Sequence, residues 1–311
     1  MAGLGSHEEI AMKSSRLAVL TLTGFTILGA APGLGADPVE LRPPLRAGDV
    51  HVLSLRVESA TVASSRGATR EQHETTRLEY TARVTVLAVD GSGRPLRERH
   101  DDVSLTFERP GERGSLFAED VSYEVRRERA GEVEIFVGDA RISRSTEKVI
   151  ADLLAHRFEH GSGPEIFEPS GDATVGETWI LDEDAIRRFL HAQGIRVIAL
   201  EGPATATLER VAGERADREL VIRYRVPVGW CQWVEMPENA TASSSHALLE
   251  GQIRLSADPM REPFAARSHL EMALRGVVTK PGVARPFPWK MQTTKAVDQR
   301  TVRMPAEVAS R

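Results

Sequence analysis

The densest run of side chains able to do chemistry is His156-Arg157-Phe158-Glu159-His160. Two imidazoles four residues apart stand about one helical turn apart, so both can reach a single metal ion. Glu159 is close enough to activate water bound to that ion. The same residues also end a helix expected over Glu147 to His160, whose Val149, Ile150, Leu153, Leu154 and Phe158 form one apolar face. At about 100° per residue His156 and His160 fall at the edge of that face, and Glu159 falls with Lys148 and Asp152 on the polar side. Gly161 takes the position just past the helix, so His160 lies in a last turn, where a histidine complements the helix dipole.

The five residues resemble the His-x-x-Glu-His motif of the inverted zinc proteases. That resemblance implies a longer helix around the motif and a further glutamate from a helix downstream. At the matching distance stand Glu235 and Glu238, in Val234-Glu235-Met236-Pro237-Glu238-Asn239, which reads as a strand end and a turn. The setting therefore favours a structural helix end. No catalytic residue, metal ligand or cofactor is expected, and a zinc metalloprotease using His156, Glu159 and His160 is the alternative.

Other candidates have plainer readings. Asp182-Glu183-Asp184 suits a helix N-cap and first turn better than calcium, because it lacks alternating oxygen ligands. Gly229-Trp230-Cys231-Gln232-Trp233 holds two of the four tryptophans and reads as pocket lining or core. Cys231 has no evident histidine partner and reads as a buried thiol. Asn239-Ala240-Thr241 is a glycosylation sequon. No Gly-x-Ser-x-Gly elbow, Walker loop or Gly-x-Gly-x-x-Gly fingerprint is present.

The elements around these residues are mostly strands. Leu53, Leu55 and Val57 alternate with polar neighbours, and Leu78, Tyr80, Ala82, Val84 and Val86 do so over a longer run. Asp90-Gly91-Ser92-Gly93 marks a hairpin. Val103 to Phe107, Val121 to Val125 and Val133 to Val137 continue the meander, with a turn at Ala130-Gly131. After Trp179-Ile180-Leu181 a short helix carries Ile186, Phe189 and Leu190 and stops at Gly194. Strands are then expected at Arg196–Leu200, Ala204–Val211, Arg218–Val228, His246–Leu255, Ala265–Val278 and Trp289–Arg303. The fold class is mainly β: two antiparallel curved sheets or half-barrels, one substantial helix between them and a second short helix.

Two short similarities relate the halves. Gly48-Asp49-Val50-His51-Val52-Leu53 matches Gly176-Glu177-Thr178-Trp179-Ile180-Leu181, and Asp90 before Pro95 matches Asp258 before Pro263. The offsets differ, so a repeat requires an insertion, part of which the helix after Asp182 could supply. A diverged repeat and an accident of turn composition both stay open.

Lys13 and Arg16 precede an apolar run, Leu17 to Ala31, and small residues up to Ala36, the layout of a secretory signal. Translation is read as starting at Met12, with cleavage before Ala36 or Asp37; an uncleaved anchor is the alternative. The organisation expected is a signal peptide over 1–36, β halves over 37–144 and 173–305, the helix and linker over 145–172, and a tail over 306–311. With 45 acidic and 40 basic residues and a net charge of -5, nothing marks the chain for nucleic acid. Its one cysteine excludes an internal disulfide.

Val175, Gly176, Glu177 and Trp179, opening a β segment after a helix and a proline-containing linker, resemble a group of exported bacterial β-rich proteins without an established activity. The resemblance implies curved antiparallel sheets cupping helices, as in half-barrels that carry lipoproteins or lipid. The function expected is that of an exported, non-enzymatic protein, periplasmic or extracellular. It would bind an apolar or lipidic ligand, or serve as a cell-envelope interaction module, with no stable membrane span once the signal is removed. A deep apolar cavity near Trp230 and Trp233 would favour the carrier, and an exposed flat apolar patch the interaction module.

Overall fold

A computed structural model describes residues 45–65, 71–91, 94–117, 121–127, 133–155, 166–169, 173–213, 219–234, 236, 239–256, 264–279 and 287–304. Of these residues, 71% are strand and 10% helix. In the first half lie β1 (Val50–Ser65), β2 (Gln72–Val89), β3 (Pro95–Arg109), β4 (Glu112–Ser115), β5 (Val121–Arg127), β6 (Val133–Val137), β7 (Ala140–Arg141) and helix α1 (Arg144–Leu154). The second half has β8 (Thr178–Ile180), helix α2 (Glu183–Ala192), β9 (Ile195–Leu200), β10 (Thr205–Ala212), β11 (Glu219–Trp233), β12 (Ala240–Ser256), β13 (Phe264–Val278) and β14 (Phe287–Arg303).

The two sheets expected from the sequence are joined into one. Its order is β7-β6-β5-β3-β2-β1-β14-β13-β12-β11-β10-β8, with β4 against β3 and β9 against β11. The join is the antiparallel ladder between β1 and β14, which runs from His51 opposite Arg303 to Ser65 opposite Trp289. The sheet is not closed into a barrel. Its outermost strands are short: β7 has two residues and β8 three. Arg187 of α2 donates to the carbonyl oxygens of Val197, at 2.6 Å, and Ile198, at 3.3 Å, on β9. Short or covered edges of this kind discourage pairing with other chains.

Two apolar clusters form the core. One gathers Leu53, Leu55 and Val57 of β1 with Tyr80, Leu105 and Ile135 beneath Ile150, Leu153 and Leu154 of α1. The other packs Ile186, Phe189 and Leu190 of α2 against Ile222, Val226, Leu249 and Leu270. Val297 belongs to the first cluster and Met291 packs against the second. Both are odd-numbered positions of β14, so both cores lie on the same face of the sheet. Within the second core the Tyr224 ring crosses Gly251 on the neighbouring strand; a Cβ there would stand 2.3 Å from the Tyr224 oxygen.

Both helices follow local rules. Asp182 caps α2 by accepting from the Ala185 N–H at 2.6 Å, and Gly194 turns the chain out of it at φ +83°. α1 begins three residues earlier than the apolar spacing suggests, because the Ser143 hydroxyl accepts from the Thr146 N–H at 3.3 Å. Glu147, expected at the helix start, instead turns inward. It accepts from the Ile135 N–H at 3.2 Å and from Arg141, which ties the helix to β6 and β7.

Gly48 and Gly176 sit in turns with the same hydrogen bonds. Asp49 N–H donates to the Arg46 carbonyl and Glu177 N–H to that of Thr174, at 3.0 and 2.9 Å. In each turn the acid side chain accepts from the N–H three residues back, both at 2.8 Å, and the glycine sits at φ +93° or +89°. The glycine N–H then donates to Val86 in one half and Leu208 in the other, both at 2.8 Å. Those residues return a bond to the carbonyls of Asp49 and Glu177. Along the sheet each half is laid down from last strand to first, so in order β2–β3 stands where β10–β11 does in the other half. The second similarity does not correspond: Asp90 lies between β2 and β3, whereas Asp258 and Pro263, outside the described residues, fall between β12 and β13. Where β1 continues as a strand, the chain after β8 leaves the sheet as α2.

Candidate functional site

His156, Glu159 and His160 lie outside the described residues, as do Phe158, Glu235 and Glu238. Among the described residues no three His, Cys, Asp or Glu side chains gather as metal ligands. Asp182 serves as the α2 cap and Glu183 pairs with Arg187. Cys231 is fully buried, and burial pushes its thiol up from the usual range, with Ser245 opposing. Its N–H donates to the Ser245 hydroxyl at 2.6 Å. Trp230 and Trp233 are half-buried, and Trp233 packs against the second core. Asn239 is exposed in the turn before β12.

The densest polar cluster was missed in the sequence. The Tyr80 hydroxyl is hydrogen-bonded to His100 Nδ1 at 2.5 Å and to the Tyr123 hydroxyl at 2.6 Å. His100 stacks on Tyr123 with ring centroids 4.9 Å apart. Beside it Glu98 accepts from Arg127 at 2.8 Å. A tyrosine, a histidine and a carboxylate are groups that transfer protons in catalysis. These are sealed, however: Glu98 and His100 are 0% exposed, so substrate cannot reach them. The cluster is a polar part of the first core, held by mutual hydrogen bonds.

Among the described residues, two hollows lie on the opposite face of the sheet. Outward positions there mix charged, polar and small side chains, and Arg267, Asp298, Arg56 and Glu79 form one charged row across β13, β14, β1 and β2. One patch instead has small side chains: Ala296 and Thr294 of β14, Ala60 of β1 and Thr75 of β2. Thr294, Ala60 and Thr75 stand side by side in register, and Ala296 and Glu58 form the next row. They floor a trough of about 510 Å³. Its walls are Glu58, Arg77, Glu108, His269 and the turn Arg109-Pro110-Gly111 between β3 and β4. A twisted sheet is saddle-shaped, so a face can be hollow along one diagonal, and short side chains deepen the hollow.

The walls set Glu58 and Glu108 against Arg77 and Arg109, and Glu58, Arg77 and Arg109 are held by partners. Arg77 donates through Nε to Glu79 at 3.0 Å and lies 3.6 Å from Glu58. Arg56 Nε donates to Glu58 Oε1 at 2.9 Å, and Arg109 Nε to Glu112 at 2.7 Å. The hydrogen bond from Arg77 lowers the Glu79 carboxyl from its ordinary value, and the same bond raises the guanidinium. His269 Nε2 stands 3.1 Å from Glu271. A smaller hollow of about 160 Å³ lies further along the same strands, where Val62, Ala273 and Gln292 meet Lys290 and Arg275. Neither hollow is lined by Trp230 or Trp233.

No protein-family model matches the chain, and no curated protein matches it. No helix among the described residues is long and apolar enough to cross a membrane.

Proposed function

We propose that this is an exported, non-enzymatic binding protein of the cell envelope, taking its ligand on the sheet face opposite the two cores. The observation that carries this reading is the trough floored by Ala60, Thr75, Thr294 and Ala296, whose volume falls in the range of small-molecule sites, about 300–1,000 Å³. The inner face of each half is occupied by a helix and packed side chains, which weighs against an apolar ligand held there. Export rests on the layout from Lys13 to Ala36.

The test is a native mass spectrum of protein purified from its own envelope, alongside Ala60→Arg/Ala296→Arg, which fills the trough. The expected result is a co-purifying component lost in the double variant, on a chain beginning at Ala36 or Asp37. A ligand that persists with the trough filled would place binding elsewhere. A chain retaining Leu17 to Ala31 in membranes would refute cleavage and support an anchor.

A further inference from the structure

Resting on the reading of the trough as a binding site, we propose that its ligand is a neutral, polyhydroxylated molecule, a saccharide. Ionic ligands fit its charges poorly. Arg77 presents its Nε and Nη2 edge to Glu79 and feels Glu58 and Glu108 as well. Arg109 presents the same edge to Glu112. An incoming anion must displace a carboxylate or enter the field of several. An incoming cation meets Arg77 and Arg109, which balance Glu58 and Glu108 on the walls. Little net charge remains on which either could gain.

Hydrogen-bonding capacity does remain. Arg56 and Arg77 both approach Oε1 of Glu58, which leaves Oε2 able to accept. The Nη1 group of Arg77 is not engaged by Glu79. Thr75 and Thr294 add hydroxyls on the floor. The acceptor Glu58 on β1 thus stands beside the donor Arg77 on β2, about 4.8 Å away, and their ion pairs hold them in place before a ligand arrives. A hydroxyl group both donates and accepts, so neighbouring sugar hydroxyls can bridge a carboxylate and a guanidinium without breaking the pair. The methyls of Ala60, Ala296, Thr75 and Thr294 offer an apolar surface for the C–H face of the ring.

A free oligosaccharide and the sugar headgroup of a glycolipid share this chemistry. The experiment is calorimetric titration of the full mature chain with maltotriose, cellotriose and chitotriose, and flotation with phosphatidylcholine vesicles containing a galactolipid. Inorganic phosphate and spermidine serve as ionic probes. Saturable binding of a neutral sugar, or of galactolipid vesicles alone, with affinity nearly independent of salt, is expected. Filling the trough with Ala60→Arg/Ala296→Arg should abolish it. Glu58→Gln and Thr294→Val, which leave the packing intact, should weaken it about tenfold and severalfold respectively. Binding of phosphate or spermidine, steeply salt-dependent and lost on filling the trough, would overturn the saccharide while leaving the site. Sugar binding unchanged in all three variants would overturn the site. The absence of any sugar binding would overturn the proposed ligand class, and the envelope mass spectrum would then judge the trough independently.

Discussion

Glu124 on the outer face of β5 accepts from Arg97 at 2.8 Å and from Arg126 at 2.6 Å. The Arg97 hydrogen bond, opposed by desolvation and helped by Arg126, brings its carboxyl down to about 2. A depressed carboxylate stabilises the fold above its unfolded value, and that contribution is lost as pH falls through its folded value. Glu124→Gln should therefore flatten the melting profile between about pH 4.5 and 2, at a cost near neutrality of about 1 kcal/mol, since Arg97 is half-exposed. Lys295 behaves in the opposite sense. It sits on the inner face of β14 beside Leu270 and Ser59, and burial lowers its ammonium to about 8, with Asp152 opposing. Between about pH 8 and 10.5 the unfolded chain binds the extra proton, so stability rises with pH; below 8 the cost of the buried charge is present in full. Lys295→Met should raise unfolding stability at pH 7 by about 1–3 kcal/mol and remove that alkaline rise. Urea titrations across pH measure both, and an unchanged alkaline limb in the variant would contradict the assignment.

At the scale of elements, alternation made most strands legible, and α2 was legible down to its cap and its buried Ile186, Phe189 and Leu190. β3 shows what alternation hides. Its apolar run begins at Val103, but the strand begins at Pro95. Asp102 has φ +53° and the pairing shifts between His100 and Val103, so inward positions change from even to odd numbers. Glu98 and His100, read in the phase of Leu105, look like solvent-facing residues. The polar core was therefore invisible until the bulge was known. The trough was equally hidden, because Ala60 and Ala296 are unremarkable in sequence and meet only through the β1–β14 ladder. Helix α2 gives the check at this scale. Asp182→Ala removes its cap and should lower stability by about 1 kcal/mol without changing the far-UV spectrum of the folded protein. A loss several times larger would mean that Asp182 holds more than the helix end.

For the whole molecule, the decisive feature is that one ladder joins two separate cores. β1 contributes Leu53, Leu55 and Val57 to the first core, and its partner β14 lends Val297 to that core and Met291 to the second. Unfolding either half strips a long strand of its neighbour and exposes a row of backbone groups, which couples the halves. Tryptophans report on only one of them: Trp179, Trp230, Trp233 and Trp289 all lie in the second half. Tyr80 and Tyr123 lie inside the first core. Denaturation followed by tryptophan fluorescence and by amide exchange at Tyr80 and Tyr123 should give coincident midpoints, as a single cooperative unit requires. Proline substitution at Val57, in the middle of the ladder, removes an N–H and should lower both transitions together. If the wild-type midpoints differ while the slopes remain steep, the two cores are independent units that share a strand boundary, and the β1–β14 ladder contributes little to their coupling.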